Sequence, residues 1–164
     1  MSRELPIVAR LQAELAVLKR ELNVDIPKLL EQARAHGDLR ENAEYHATKE
    51  RQGMLHARIG QIETRLGELS LYTKSSIPND RAGYGSRVQV EDLQSGERVT
   101  YRLVFPEEAD PAKGNVSMTS PIGKALLNRR PGDEVVVTMP AGRRTLEILG
   151  LVTIHAGGNV PDDE

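Results

Sequence analysis

The sequence predicts an α+β protein: an N-terminal antiparallel α-helical coiled-coil hairpin, followed by a small antiparallel β-sheet domain with one short helix. Three observations predict it. Apolar residues recur at steps of three and four as far as Leu69, alternation with a period of two begins at Val88, and a polar stretch containing Ser and Pro, Thr73 to Ser86, separates the two patterns. The patterns divide the 164 residues into a hairpin at 1–75, a linker at 76–85, a sheet domain at 86–154 and a disordered tail at 155–164.

Composition agrees with a charged stalk joined to a modest aliphatic core, because charged residues make up 28% of the chain and aromatic residues 3%. Cysteine is absent, which excludes disulfides, thiolate zinc sites and cysteine nucleophiles. No apolar run approaches the ~20 residues of a membrane span, and Met-Ser-Arg-Glu-Leu-Pro lacks a signal core. A cytoplasmic protein without membrane contact is expected. The formal charge is −2 and nearly balanced, with twelve basic and eleven acidic residues to position 75 and ten and thirteen beyond it. That is not a polybasic nucleic-acid binder, so contact with nucleic acid needs local charge placement or a partner already holding it.

The first arm carries Val8, Leu11, Leu15, Leu18, Leu22, Ile26, Leu29 and Ala33. The two successive steps of four at Leu18, Leu22 and Ile26 form a stutter, and Pro27 removes a helical hydrogen bond, so a kink or break is expected there. A helix over 8–35 spans roughly 40 Å. The second arm carries Leu55, Ile59, Ile62, Leu66 and Leu69, with Ala43 and Ala47 thinning the seam toward its start. A short link at His36 and Gly37 makes the arms antiparallel, with Gly37 ending the first helix and Asp38 capping the second.

Beyond the linker, strands are expected around Val88 and Val90, then Val99 to Leu103, Val116 and Met118, Val135 to Met139, and Leu146 and Ile148. Ser95-Gly96, Lys113-Gly114, Pro131-Gly132-Asp133 and Ala141-Gly142 mark turns between them. Ser120-Pro121, followed by Ile122, Ala125, Leu126 and Leu127, supplies a cap, a proline at the first helical position and a short apolar face.

The stretch Gly37-Asp-Leu-Arg-Glu-Asn-Ala-Glu-Tyr-His46 lies at the far end of the hairpin. Asp38 and Glu41 support two readings. Their spacing is that of a capping-box variant, in which both carboxylates satisfy free amides at a helix start. Exposed at the end of a stalk, the same pair could help coordinate a hard cation and orient a water, but two carboxylates complete an Mg²⁺ site without making one. A zinc site from His36, His46 and a carboxylate is conceivable but has nothing in the loop to orient the imidazoles. Lys49, Arg51 and Arg58 form a basic set on the second arm, read either as a solvated face or as contacts to RNA phosphates.

The run Ala35 to Ala47, with Lys49-Glu50 and Gln52 after it, closely resembles the tip of the bacterial transcript cleavage factors of the GreA/GreB family. Ser120-Pro121-Ile122-Gly123-Lys124-Ala125-Leu126-Leu127, leading into Pro131-Gly132-Asp133-Glu134-Val135, resembles the core signature of that family's C-terminal domain, and Glu108-Ala109-Asp110 is a weaker match. The balanced charge of the stalk is more similar to the GreA branch. The resemblance implies an FKBP-like fold for the second domain, which grips bacterial RNA polymerase with Ser120, Pro121, Ile122 and Gly123 as candidate contacts. It implies a coiled coil that enters the secondary channel of the polymerase. It also implies that Asp38 and Glu41 share the polymerase's Mg²⁺ and assist cleavage of backtracked RNA near its 3′ end, as ligands donated by a monomeric accessory factor with no cofactor of its own. A channel-binding inhibitor without cleavage activity is the alternative. A peptidyl-prolyl isomerase is a remote one, since past the linker only Tyr84, Tyr101 and Phe105 could line an aromatic pocket.

Overall fold

The computed structural model describes residues 5–37 and 42–157. The chain divides into two compact units, Met1–Tyr72 and Thr73–Glu164.

In the first unit, helix α1 (Pro6–Arg20) runs through a π-helical turn (Glu21–Asp25) into α2 (Ile26–Arg34), and α3 (Ala43–Leu69) returns against both. The first arm is not broken at Pro27. Its backbone stays right-handed helical through Asp25 (φ −73°, ψ −46°) and Ile26 (φ −59°, ψ −48°), and the Ile26 N–H bonds to the Glu21 carbonyl five residues back. Pro27 has no N–H to give and its ring crowds the carbonyl four residues earlier, so a wider turn just ahead of it relieves both problems. The same turn absorbs the phase drift of the stutter.

That adjustment changes which residues face inward. The seam leaves Ile26 by a step of four, so Leu30 is half-buried while the expected Leu29 is 47% exposed. At the start of α1, Ile7 is buried and the expected Val8 only half-buried. On α3, Leu55, Ile59, Ile62 and Leu69 are buried as expected, but Ala43 and Ala47 are exposed. Tyr45, Thr48 and Gln52 continue the seam instead, at steps of three and four back from Leu55. A fully buried Leu or Ile contributes about 1.5–3 kcal/mol, so the end of the hairpin that lacks them depends on hydrogen bonds.

Among the described residues the second unit holds strands β1 (Arg87–Asp92), β2 (Arg98–Val104), β3 (Asn115–Ser117), β4 (Glu134–Met139) and β5 (Gly142–Val152), in the order β3-β2-β1-β5-β4. Adjacent pairs are antiparallel except β2 and β3, which run parallel from Arg102↔Asn115 to Val104↔Ser117. The sheet is antiparallel as expected apart from this one edge pair, where single turns at Pro106–Glu108 and Pro111–Lys113 carry the chain back before β3 enters the sheet. The four expected turns occur, with Gly132 at φ +93° and Gly142 at φ +121°. The inward residues of the alternating strands, Val88, Val90, Leu103, Val137 and Ile148 among them, close over Leu126 of helix α4 (Pro121–Leu126). The architecture is α+β.

The stretch expected as a linker, 76–85, is built into this second unit. Ala82 is fully buried in the core, and its N–H and carbonyl pair with the Arg129 carbonyl (2.9 Å) and the Asn128 N–H (2.8 Å). The expected tail also begins later than its composition suggests. Ile154 is buried at the head of the short helix α5 (Ile154–Gly157), and His155 Nε2 lies 2.6 Å from the Ile77 carbonyl, to which it donates. Residues 158–164 of that tail lie outside the described residues.

Candidate functional site

Where the arms of the hairpin meet, α2 ends at Arg34 and Gly37 takes the left-handed value φ +115°. The connection is longer than the expected link at His36 and Gly37, since α3 begins only at Ala43. Asp38 and Glu41, the candidate ligands, lie outside the described residues, as do Leu39 and Arg40. The cap of α3 is Asn42 rather than Asp38. Asn42 has extended backbone (φ −82°, ψ 100°), and its side-chain oxygen accepts from the Tyr45 N–H at 3.0 Å. Its amide nitrogen donates to the Ala33 carbonyl at 2.6 Å across the connection. The capping of α3 that the spacing of Asp38 and Glu41 suggested is therefore performed one residue beyond that pair.

The basic set on α3 is largely committed to the first arm. Arg51 makes a two-pronged contact with Glu21, Nε to Oε1 at 3.0 Å and Nη2 to Oε2 at 2.8 Å. Arg58 does the same with Glu14 at 2.8 and 3.0 Å. Forked geometry of this kind holds both partners in one plane. Hydrogen bonding from Arg58 holds the Glu14 carboxyl below its ordinary range against an opposing effect of burial, and Arg51 does the same to Glu21. Both arginines thus act as ties between the arms. Lys49 contacts Gln52 at 2.8 Å, one turn along its own helix, and leaves the charge toward solvent. His46 is exposed, with its ring edge-on to Tyr45 at 5.8 Å. Among the described residues no three of His, Cys, Asp and Glu converge into a set that could hold a metal ion.

In the second unit the Ser120–Gly123 turn is a folding device first. The Ser120 hydroxyl accepts from the Gly123 N–H (3.1 Å) and donates to the Ser117 carbonyl (2.6 Å), so its capacity is used inside the unit. Ile122 packs on the core, Gly123 is buried, and Pro121 is exposed. Of these four residues, Pro121 is the one whose side chain is exposed. Tyr84 and Phe105 are spent in the interior, stacked at 4.5 Å, and the Tyr84 hydroxyl donates to the Glu108 carboxylate at about 3.0 Å. Sequence reasoning missed this pairing, which has no local signal. It also missed Asn42, which did have one: an Asn directly before a helical run.

The comparisons with known proteins extend over both units. The model of "Transcription elongation factor, N-terminal" matches residues 7–70, and that of "Transcription elongation factor, GreA/GreB, C-term" matches residues 77–152. The transcription elongation factor GreA of Desulfovibrio desulfuricans is 48% identical over 141 residues, 86% of either chain. That of Nitratidesulfovibrio vulgaris is 45% identical over 142 residues, 87% of this chain and 88% of its own. A solved structure of GreA factor homolog 1 (Gfh1) from Thermus thermophilus has 29% identity and a TM-score of 0.42, over 88% of this chain and 94% of its own. This chain belongs to the GreA/GreB family of transcription elongation factors.

Proposed function

We propose that this protein is an accessory factor of bacterial RNA polymerase that stimulates endonucleolytic cleavage of backtracked nascent RNA, and so rescues arrested complexes. The observation that carries the reading is the end of the hairpin: two arms, tied by the Glu14–Arg58 and Glu21–Arg51 forks, close on the short stretch that holds Asp38 and Glu41. A helical hairpin with a polar seam of Thr48 and Gln52 near its acidic connection suits entry into a channel such as the secondary channel of the polymerase.

The donor set fits a hard cation. Carboxylate oxygens are the ligands Mg²⁺ prefers, and the remaining positions would come from the polymerase and RNA phosphate. When bound there, Mg²⁺ would lower the pKa of water and offset charge developing on the phosphate. Asp38 and Glu41 would hold and orient these groups, while the polymerase performs the cleavage. Lys49, whose ammonium donates to the neutral Gln52 side chain, is the candidate for the nascent RNA, and the face of the second unit around Pro121 is the candidate for the polymerase surface. The protein would act as a monomer in the cytoplasm; no helix among the described residues is long and apolar enough to cross a membrane.

The test is to add the chain to stalled, backtracked elongation complexes with Mg²⁺ and follow RNA length. Shortened RNA supports the proposal. Binding without an increase in cleavage over polymerase alone refutes it and leaves an occluding inhibitor.

A further inference from the structure

We infer that Asn42 is a positioning residue for the acidic stretch, a two-ended pin that fixes both ends of the connection on which Asp38 and Glu41 are carried; the inference rests on the cleavage reading above. Helix ends leave amide donors and carbonyl acceptors without intrahelical partners. Asn42 satisfies one of each kind, accepting from the Tyr45 N–H of α3 and donating to the Ala33 carbonyl of α2. Ala33 is 1% exposed, so water does not readily replace the lost donor, and its carbonyl also receives the His36 N–H at 3.2 Å. These partners fix the orientation of the amide, because only its oxygen can accept and only its nitrogen can donate.

Capping alone does not call for this residue. Ser and Asp cap helices about as well as Asn, yet Ser is too short to bridge to Ala33 and Asp has no donor when ionised. The bond to Ala33 adds nothing to the cap of α3; it joins two residues nine apart in sequence, on either side of the connection. The neighbouring seam positions are Tyr45, Thr48 and Gln52, where leucines would otherwise lock the arms. Groups that donate ligands need placement to within roughly 0.5 Å, and a displacement of about 1 Å can cost 10²-fold in rate.

The discriminating variant is Asn42→Ser, which keeps the cap and removes the pin, with Asn42→Ala removing both. Three quantities are read on the full chain: competition for polymerase, cleavage rate at saturating factor over a range of Mg²⁺ concentrations, and amide hydrogen exchange of the free protein. The pin predicts that Asn42→Ser competes like the unaltered chain but cleaves at least about tenfold more slowly, with a higher Mg²⁺ requirement. It also predicts faster exchange at His36 and Gly37 with Tyr45 unchanged. Asn42→Ser matching the unaltered chain in maximal rate and Mg²⁺ dependence overturns the inference, leaving Asn42 a helix cap. If the unaltered chain itself gives no cleavage, the functional proposal fails separately. Exchange then decides the pin: faster at His36 and Gly37 upholds it, unchanged overturns it.

Discussion

Replacing Gly123 with alanine should strongly destabilise the second unit. A Cβ there would run into the Ser117 carbonyl oxygen and lie 2.7 Å from its carbon and 2.8 Å from Met118 Cα. All three are backbone atoms, so no side chain can swing aside. Overpacking costs about 1–3 kcal/mol, and parting α4 from β3 also strains the two bonds that Ser120 makes to the Ser117 carbonyl, through Oγ at 2.6 Å and N–H at 3.0 Å. Each contributes about 1 kcal/mol. The better helix propensity of alanine offsets about 1 kcal/mol, so the clash decides the sign and a net loss of about 3 kcal/mol is expected. For a unit of this size that lowers Tm by about 12 °C or more. Thermal and urea unfolding of the full chain, followed by near-UV circular dichroism of the buried Tyr84, measures it. A loss under about 1 kcal/mol would show instead that the turn has room for a methyl group.

Other consequences follow from the hairpin. Gly60 and Gly67 lie within α3, and an added Cβ at either meets nothing within 4 Å; the double alanine variant should stabilise the first unit by about 1–2 kcal/mol in urea unfolding. The Glu14–Arg58 fork is exposed, with 41% of the Glu14 side chain accessible, so a double-mutant cycle should give a coupling below about 1 kcal/mol that fades in salt. The pKa of Glu14 is depressed in the folded chain, so its contribution is present above the ordinary value of 4.5 and is lost as pH falls through the lower folded value. Removing Arg58 should therefore flatten the acid limb of the stability curve, as read by unfolding between pH 5 and pH 2; an unchanged limb would contradict the tie.

Much of the fold was legible because both periods are set by burial on one face. The strands from Val88 to Ile148 and the seam from Leu55 to Leu69 appear where alternation and heptad spacing put them. The failures share a cause in longer-range geometry. Leu29 and Leu30 are both apolar, and only the π-helical turn ahead of Pro27 selects Leu30. The polar segment around Ala82 looks like a linker until its exchange of backbone bonds with Asn128 and Arg129 is seen. Arg51 and Arg58 look free on one helix, yet their carboxylate partners are 30 and 44 residues away in sequence. Composition missed the burial of Tyr84 for the same reason, since Phe105 and Glu108 reach it only through the fold. At the site, spacing alone left Asp38 and Glu41 divided between cap and ligand; Asn42 performs the capping of α3, so the carboxylates are not needed for it.

The double variant Asp38→Ala with Glu41→Ala separates binding to the polymerase from cleavage. Both the variant and the unaltered chain are titrated into backtracked elongation complexes at fixed Mg²⁺, with RNA cleavage and competition for the polymerase read in the same samples. The account predicts that competition stays within about twofold while cleavage falls by at least about 10²-fold, the scale expected when the groups that position a metal and its water are removed. Cleavage at the rate of the unaltered chain, with binding intact, would contradict it.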